Sequence, residues 1–397
     1  MNSLRVLTCG ILFSAGLAFL GGCGQKAPEQ PAPAAEATPP PVPEDPSATR
    51  IGLILPLSGA QATFGNDAIK GAQLAEAEIN AAGGVLGHPI KLIVRDSQSD
   101  TEATLKAVND LAEKENAVAL IGEIASDRTL AAAPVAQKLG IPLITPGATH
   151  AGVTAAGDYI FRVCYTDAAQ AIAMAKFARS IDVTKAAILY DATNPYSSDL
   201  AAIFKKDFSE HGGQIVAEAT YQSGESNFSA QLQQIKAVSP EIIFLPSYYR
   251  EAAMAIIEAR QLGIEAPFLG TDGWDSSEFL RVGGKAANNS YFTSHFSAES
   301  RDPAVIDFVK RYTAKYNASP APLAALGYDS VFLVVDALKR AGSDDPEPLK
   351  NALAGTQDFP GVTGRITFDE KHNPSKPAFV LRVQDGKFNY IETVEPR

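Results

Sequence analysis

The chain has 397 residues, 46% of them hydrophobic and 20% charged, with a formal net charge of −11. That is a globular composition, long enough for two medium α/β domains. Its diffuse acidic balance excludes a nucleic-acid binder, which needs a basic surface for phosphates.

Residues 1–22 read as a leader. Arg5 is the single charge before an apolar run over 6–20, too short for a membrane span and suited to a signal-peptide core. The run ends in Leu20-Gly21-Gly22-Cys23, which resembles a bacterial lipobox, so Cys23 is the expected lipidation site. Residues 23–49 follow as a tether. Eight of the 26 residues from 24 to 49 are proline, and Val42 is the one larger aliphatic residue. Such a segment cannot bury a core and reads as extended.

From residue 50 onward short apolar runs alternate with amphipathic stretches, the pattern of βαβ units around parallel sheets. The first strand is expected over 50–57. A helix over 65–82 follows, with Ala68, Ala72, Ala75 and Ile79 on one face, and stops at Gly83-Gly84. Then come a strand over 90–96, a helix over 101–116, a strand over 117–124, a helix over 128–139 and a strand over 142–145. After Phe161-Arg162-Val163 the rhythm restarts, with helices over 168–181, 197–211, 228–238 and 250–262. These alternate with strands over 186–190, 214–221, 241–246 and 268–271, so the second block reads as a copy of the first. A strand near 291–296 and helices over 303–316 and 322–341 follow. The tail, 364–394, reads as three antiparallel β segments, with Asp385-Gly386 as a hairpin turn.

In doubly wound α/β folds ligands bind outside the carboxyl ends of the strands, and interdomain clefts favour small molecules. The loops at six strand ends, 57–65, 125–129, 145–149, 191–196, 247–249 and 272–275, are polar, Gly-rich and aromatic. Ser126 opens a helix, where free N–H groups and the dipole attract a carboxylate. The loop Gly147-Ala148-Thr149 offers open backbone and a hydroxyl, and Asp272 can accept from an ammonium. Phe64, Tyr196, Tyr248 and Trp274 can wall an apolar side chain. Carboxylate, ammonium and apolar wall together describe an α-amino acid. Taken singly each residue has a second reading: Ser126 as an N-cap, Thr149 as a turn bond, Tyr196 and Tyr248 as core rim, and Asp272-Gly273 as a turn. Arg128 reads as a solvated helix residue, with anion binding as the alternative.

Five stretches carry a family resemblance: residues 52–65 (GLILPLSGAQATFG), 71–96 (above all INAAGGVLGHPIKLIVRD), 121–149 (ending PLITPGAT), 159–167 (YIFRVCYTD) and 268–276 (FLGTDGWDS). The chain resembles the leucine/isoleucine/valine-type substrate-binding proteins of branched-chain amino acid ABC transporters over about residues 50–384. That resemblance implies the type I periplasmic-binding-protein fold, two doubly wound α/β lobes joined by a three-strand hinge. Lobe 1 would be 50–166 plus 294–358, lobe 2 167–293 plus 359–397, with hinges near Asp167, Thr293 and Phe359. It also implies that Ser126 and Thr149 hold the ligand carboxylate, and that the Gly147 carbonyl, Thr149 and Asp272 hold the ammonium. Phe64, Tyr196, Tyr248 and Tyr328 would shape the side-chain pocket. Two departures stand out: Asp272 is a shorter acid than some members carry, and no cysteine pair flanks the Ser126 loop.

No nucleophile elbow, zinc-protease motif, P-loop or dinucleotide fingerprint is present, and the five histidines form no recognisable pair. The expectation is therefore not an enzyme, with no cofactor and no metal. Cys164, the one cysteine of the folded part, reads as a buried inert thiol in a strand pattern. The chain is expected to be a monomeric extracytoplasmic lipoprotein, on the periplasmic side or cell surface, that hands an amino acid to an ABC permease. The alternative is a regulatory or sensory lipoprotein that uses the same fold to dock on a membrane or cell-wall partner.

Overall fold

The two βαβ blocks form two separate sheets in a computed structural model, which describes residues 46–395. The leader, Cys23 and most of the tether lie outside the described residues. The first sheet holds β1 (Thr49–Leu55), β2 (Ile90–Asp96), β3 (Ala119–Gly122), β4 (Leu143–Thr145) and β5 (Ile160–Arg162), all parallel, in the order β2-β1-β3-β4-β5. Their connections carry α1 (Ala62–Ala81), α2 (Thr101–Asn109) and α3 (Ser126–Leu139). Helices on both faces account for the near-continuous apolar strands, and β3 and β4 are buried at every position.

The second sheet repeats the plan. It is entered through α4 (Asp167–Ser180) and built from β6 (Lys185–Asp191), α5 (Pro195–Glu210), β7 (Gln214–Tyr221), α6 (Ser229–Ala237), β8 (Ile242–Phe244), α7 (Tyr249–Gln261), β9 (Phe268–Gly270), α8 (Ser277–Gly283) and β10 (Ser290–Ser294). The strands β7-β6-β8-β9-β10 run parallel in the same relative order as the first sheet. This half is therefore a structural copy of the other, as the repeating sequence rhythm implies.

The chain then returns to the first half as α9 (Pro303–Tyr316), α10 (Pro322–Ala341) and α11 (Pro346–Ala354). α10 lies directly against α1. A Cβ on Gly71 would collide with the Ala324 carbonyl, and one on Gly327 with the Ala68 carbonyl, so these glycines set how closely the helices approach. After the small hairpin β11 (Phe359–Gly361) and β12 (Gly364–Ile366), β13 (Ala378–Gln384) and β14 (Lys387–Val394) complete the second sheet as antiparallel edge strands. Asp385 and Gly386 have φ of 53° and 72°, the left-handed pair that a tight primed turn requires.

The structure corrects several expectations. The helix expected over 101–116 ends its regular part at Asn109 and finishes in a π turn, Asp110–Lys114. α8 and α11 were not among the expected helices; α8, seven residues long, is set by the Ser276 side chain accepting from the Glu278 N–H. Beyond Phe359, where the third hinge was expected, the chain keeps its contacts to the first half as far as His372. Asp329 of α10 accepts from the Val362 and Thr363 N–H groups, His372 stacks on Phe161, and the Lys376 ammonium bonds the Thr363 hydroxyl at 2.6 Å. The segment between therefore stays with the first half. Cys164 sits in the loop after β5, not in a strand; it is fully buried, and burial pushes its thiol up to about 12, so it is inert at neutral pH.

Candidate ligand-binding site

Both parallel sheets aim their carboxyl ends at one cavity, walled by Phe64, Ile124, Ser126, Gly147, Pro322 and Leu323 from the first half. The second half contributes Tyr196, Tyr248, Asp272, Gly273, Asp275 and His295. The space between these walls amounts to about 390 Å³, part of it continuous with open solvent. It shares Tyr196 and Tyr248 with a wider outer cavity that opens past Gln61, Arg128, Asn194 and Glu251.

The first-half wall is backbone and hydrocarbon. α3 has Ala125 at its N-cap with no side-chain cap bond, which removes the N-cap reading of Ser126. Ser126 is instead the first helical residue, and its hydroxyl accepts from the His150 N–H at 3.2 Å. The first-turn N–H groups of α3, of which Ser126 is the first residue, have no intrahelical acceptor. The loop 147–150 is held from behind by Arg162, fully buried, which donates to the Ala148 carbonyl at 2.9 Å and the His150 carbonyl at 2.8 Å. Phe64, at the start of α1, packs edge-on against Tyr248 and Tyr249 from the other half.

The second-half wall is made of ionisable side chains. Tyr196 donates to Asp272 Oδ1 at 2.7 Å, and its hydroxyl accepts from the Gly273 N–H at 2.9 Å. A Cβ on Gly273 would lie 2.8 Å from that hydroxyl, so glycine is needed for the approach. His295, 5% exposed, donates from Nε2 to Asp272 Oδ2 at 2.8 Å. Each Asp272 oxygen thus accepts one fixed bond and keeps lone-pair capacity for a further donor. Tyr196 and Tyr248 stack at 4.9 Å with planes 10° apart. Burial pushes both phenols well above their usual range, so they stay neutral donors.

Beneath the cavity runs a buried polar network. Gln170 donates to Asp167 Oδ1 at 3.1 Å and to the Thr149 hydroxyl at 3.4 Å. Its Oε1 accepts from the Asp272 N–H at 3.1 Å and the Thr293 hydroxyl at 3.0 Å. One side chain thereby ties the loop after β4 to the loop after β9 and to β10. Burial raises the Asp167 carboxyl to about 8, against the lowering pull of Thr149.

Of the ten expected ligand residues, the structure brings Phe64, Ser126, Gly147, Tyr196, Tyr248 and Asp272 to one cavity. Four lie elsewhere. Ala148 is buried behind the loop, its carbonyl occupied by Arg162. Thr149 is fully buried, with its hydroxyl engaged by Gln170 and Asp167. Trp274 is a core residue stacked on Phe279 at 4.9 Å, because the turn after Asp272 directs it under β9. Tyr328 lies on α10 and donates to Glu78 at 2.7 Å, away from the cavity. Arg128 is not solvated: it is 4% exposed and pairs with Glu123 at 3.2 Å and with the Gln61 side chain. His295, Asp275, Ile124, Pro322 and Leu323 were missed. Asp275 lies in the strand-end loop 272–275 but was passed over for Trp274, His295 lies just past β10, where the strand-end rule applies equally, and Ile124, Pro322 and Leu323 carry no such signal.

A family model described as periplasmic binding protein matches residues 48–387. The chain belongs to the periplasmic binding protein family. Among its relatives, Leu/Ile/Val-binding protein homolog 1 of Brucella abortus (strain 2308) is 30% identical over 349 residues, covering 86% of this chain and 93% of that protein. The leucine binding protein LivK from Thermotoga maritima is 34% identical with a TM-score of 0.84, covering 88% of this chain and 99% of LivK. The branched-chain amino acid transporter substrate binding protein LivJ from Streptococcus pneumoniae, solved in complex with isoleucine, is 36% identical with a TM-score of 0.83, covering 88% of this chain and all of LivJ (100%). The fold is that of the type I periplasmic binding proteins, and the family is one of solute-binding transport proteins. Among the described residues no helix is long and apolar enough to cross a membrane, and no cluster of His, Cys, Asp or Glu suits a metal ion.

Proposed function

We propose that this chain captures an amino acid in the cavity between its halves and delivers it to an ABC permease. The observation that carries the reading is the Asp272 carboxylate, oriented by Tyr196 and His295 on a wall that faces Ser126 and the α3 N-terminus across a small cavity. An α-amino acid fits that polarity: ammonium at Asp272 and the Gly147 carbonyl, carboxylate at Ser126 and the α3 N–H groups, side chain against Phe64, Ile124 and Leu323. Thr149 acts from behind, through Gln170. The complex of LivJ with isoleucine supports an aliphatic amino acid as the class to test first.

The two halves act as lobes, 50–166 plus about 296–376 and 167–295 plus about 377–397. They close on the ligand by rotation at the crossings near Asp167, Ser294 and Lys376, and closure follows from the ligand's extra affinity for the closed state. The proposal places the protein outside the cytoplasm as a monomer, anchored through a lipid on Cys23.

Thermal-shift screening against the amino acids tests the reading. A ligand at 100 times its Kd adds about 2.7 kcal/mol, a rise of several degrees in Tm. A rise that Asp272→Ala abolishes supports it. Rises only with solutes lacking an ammonium group reject it.

A further inference from the structure

The cavity holds a second carboxylate that an ammonium held by Asp272 does not use. Asp275 is 8% exposed and lines the same chamber, and its Oδ2 has no hydrogen-bond partner among the described residues. A buried polar atom without a partner is costly and uncommon, so it calls for an explanation. The nearest hydroxyl does not supply one: Ser294 lies beside the carboxyl, yet its O–H donates to the Phe296 carbonyl at 3.0 Å, and Oδ2 is left without a partner among the described residues. Phe64, Ile124, Pro322 and Leu323 are hydrocarbon, and the His295 Nε2 is spent on Asp272. Asp275 and Pro322 also border a groove that opens beyond the chamber, lined by Ser297, Ala298 and Ser319. That end of the chamber is therefore acidic, whereas a purely aliphatic ligand is best served by an apolar end.

We infer that Asp275 is a specificity-determining residue that accepts a hydrogen bond from the ligand's side chain, so that the preferred amino acid carries a hydroxyl or amide donor. The inference rests on the proposed amino-acid reading and adds the side-chain class. Burial, opposed by the Ser294 hydroxyl and reinforced by the nearby charges of Asp272 and Asp67, raises the Asp275 carboxyl to about 7. A bound donor relieves that desolvation. A site built around an unpartnered acceptor discriminates strongly against a ligand that leaves it unpaired.

Isothermal titration with shape-matched pairs reads the effect: threonine against valine, and asparagine against leucine. For the unaltered protein at pH 8, each donor-bearing member is expected to bind at least about tenfold tighter, the range for a hydrogen bond to a charged group. Asp275→Leu should bring each pair to within about threefold, with the aliphatic members gaining. Valine and leucine binding the unaltered protein as tightly as their polar counterparts would overturn the inference and leave the amino-acid reading standing. No amino acid binding at all would overturn both. Because the comparison in the unaltered protein decides alone, a folding defect in the variant does not rescue the idea.

Discussion

The two walls of the cavity are built on different principles. The first half contributes backbone, hydrocarbon and one hydroxyl: the α3 N-terminus, Gly147, Ile124, Leu323 and Ser126. The second half contributes Tyr196, Asp272, Asp275 and His295, each polar and each buried or nearly so. A backbone wall is fixed once the sheet and helix are in place, and it recognises what ligands of one class share. A side-chain wall is set by individual residues, and it distinguishes one ligand from another. The halves share a topology, yet generic recognition falls to the first and discrimination to the second.

The largest effects that sharpen this contrast separate scaffold from site. Glu123 is fully buried behind the first wall, takes the Ala125 N–H at 2.7 Å and pairs with Arg128. Glu123→Ala leaves that cation only the longer pair with Asp127 at 3.7 Å and should cost about 3–5 kcal/mol in urea unfolding. Trp274→Ala should cost a similar 3–5 kcal/mol by opening a core cavity, and ligand affinity in the surviving folded protein should stay within about threefold. Asp272→Ala should behave oppositely, with little loss of stability and about 2–5 kcal/mol lost in ligand binding by titration calorimetry. If Trp274→Ala abolishes binding while Asp272→Ala does not, the assignment of walls is wrong.

Smaller effects probe the second wall. Tyr196→Phe removes the hydroxyl that orients Asp272 and should weaken binding by about 1 kcal/mol. Asp167 gives a pH signature. Its folded-state carboxyl is raised to about 8, above the unfolded 3.8, so the folded state favours the protonated form. Its ionisation therefore penalises folding increasingly as pH rises from about 4 to about 8. Asp167→Asn removes the penalty, so its stability relative to the parent should climb across that window in denaturation curves. The threonine-over-valine ratio should also grow with pH through about 7, as Asp275 ionises against its burial and the charges of Asp272 and Asp67.

The fold was legible in the sequence because βαβ repetition writes apolar runs and helical periodicity plainly; β2, β7, α9 and α10 fall where the patterns put them. The backbone wall was legible for the same reason, since strand-end loops follow from the strands. The rest was harder. Trp274 and Asp275 share one turn; the loop position put Trp274 in the pocket wall, and the turn instead sends it into the core and leaves Asp275 on the cavity. Tyr328 carried a family expectation that no local pattern could check. Arg162 and Gln170, which hold the site from behind, lie in apolar or helical runs where a lone polar residue gives no sign of what it meets across the fold.

The most direct test of the central claim is a crystal structure of the protein with the amino acid that most raises its Tm. The account predicts the ligand nitrogen within hydrogen-bond distance of Asp272 and its carboxylate at Ser126 and the first turn of α3. A ligand lodged in the outer cavity beside Arg128, or turned so that its carboxylate meets Asp272, would contradict it.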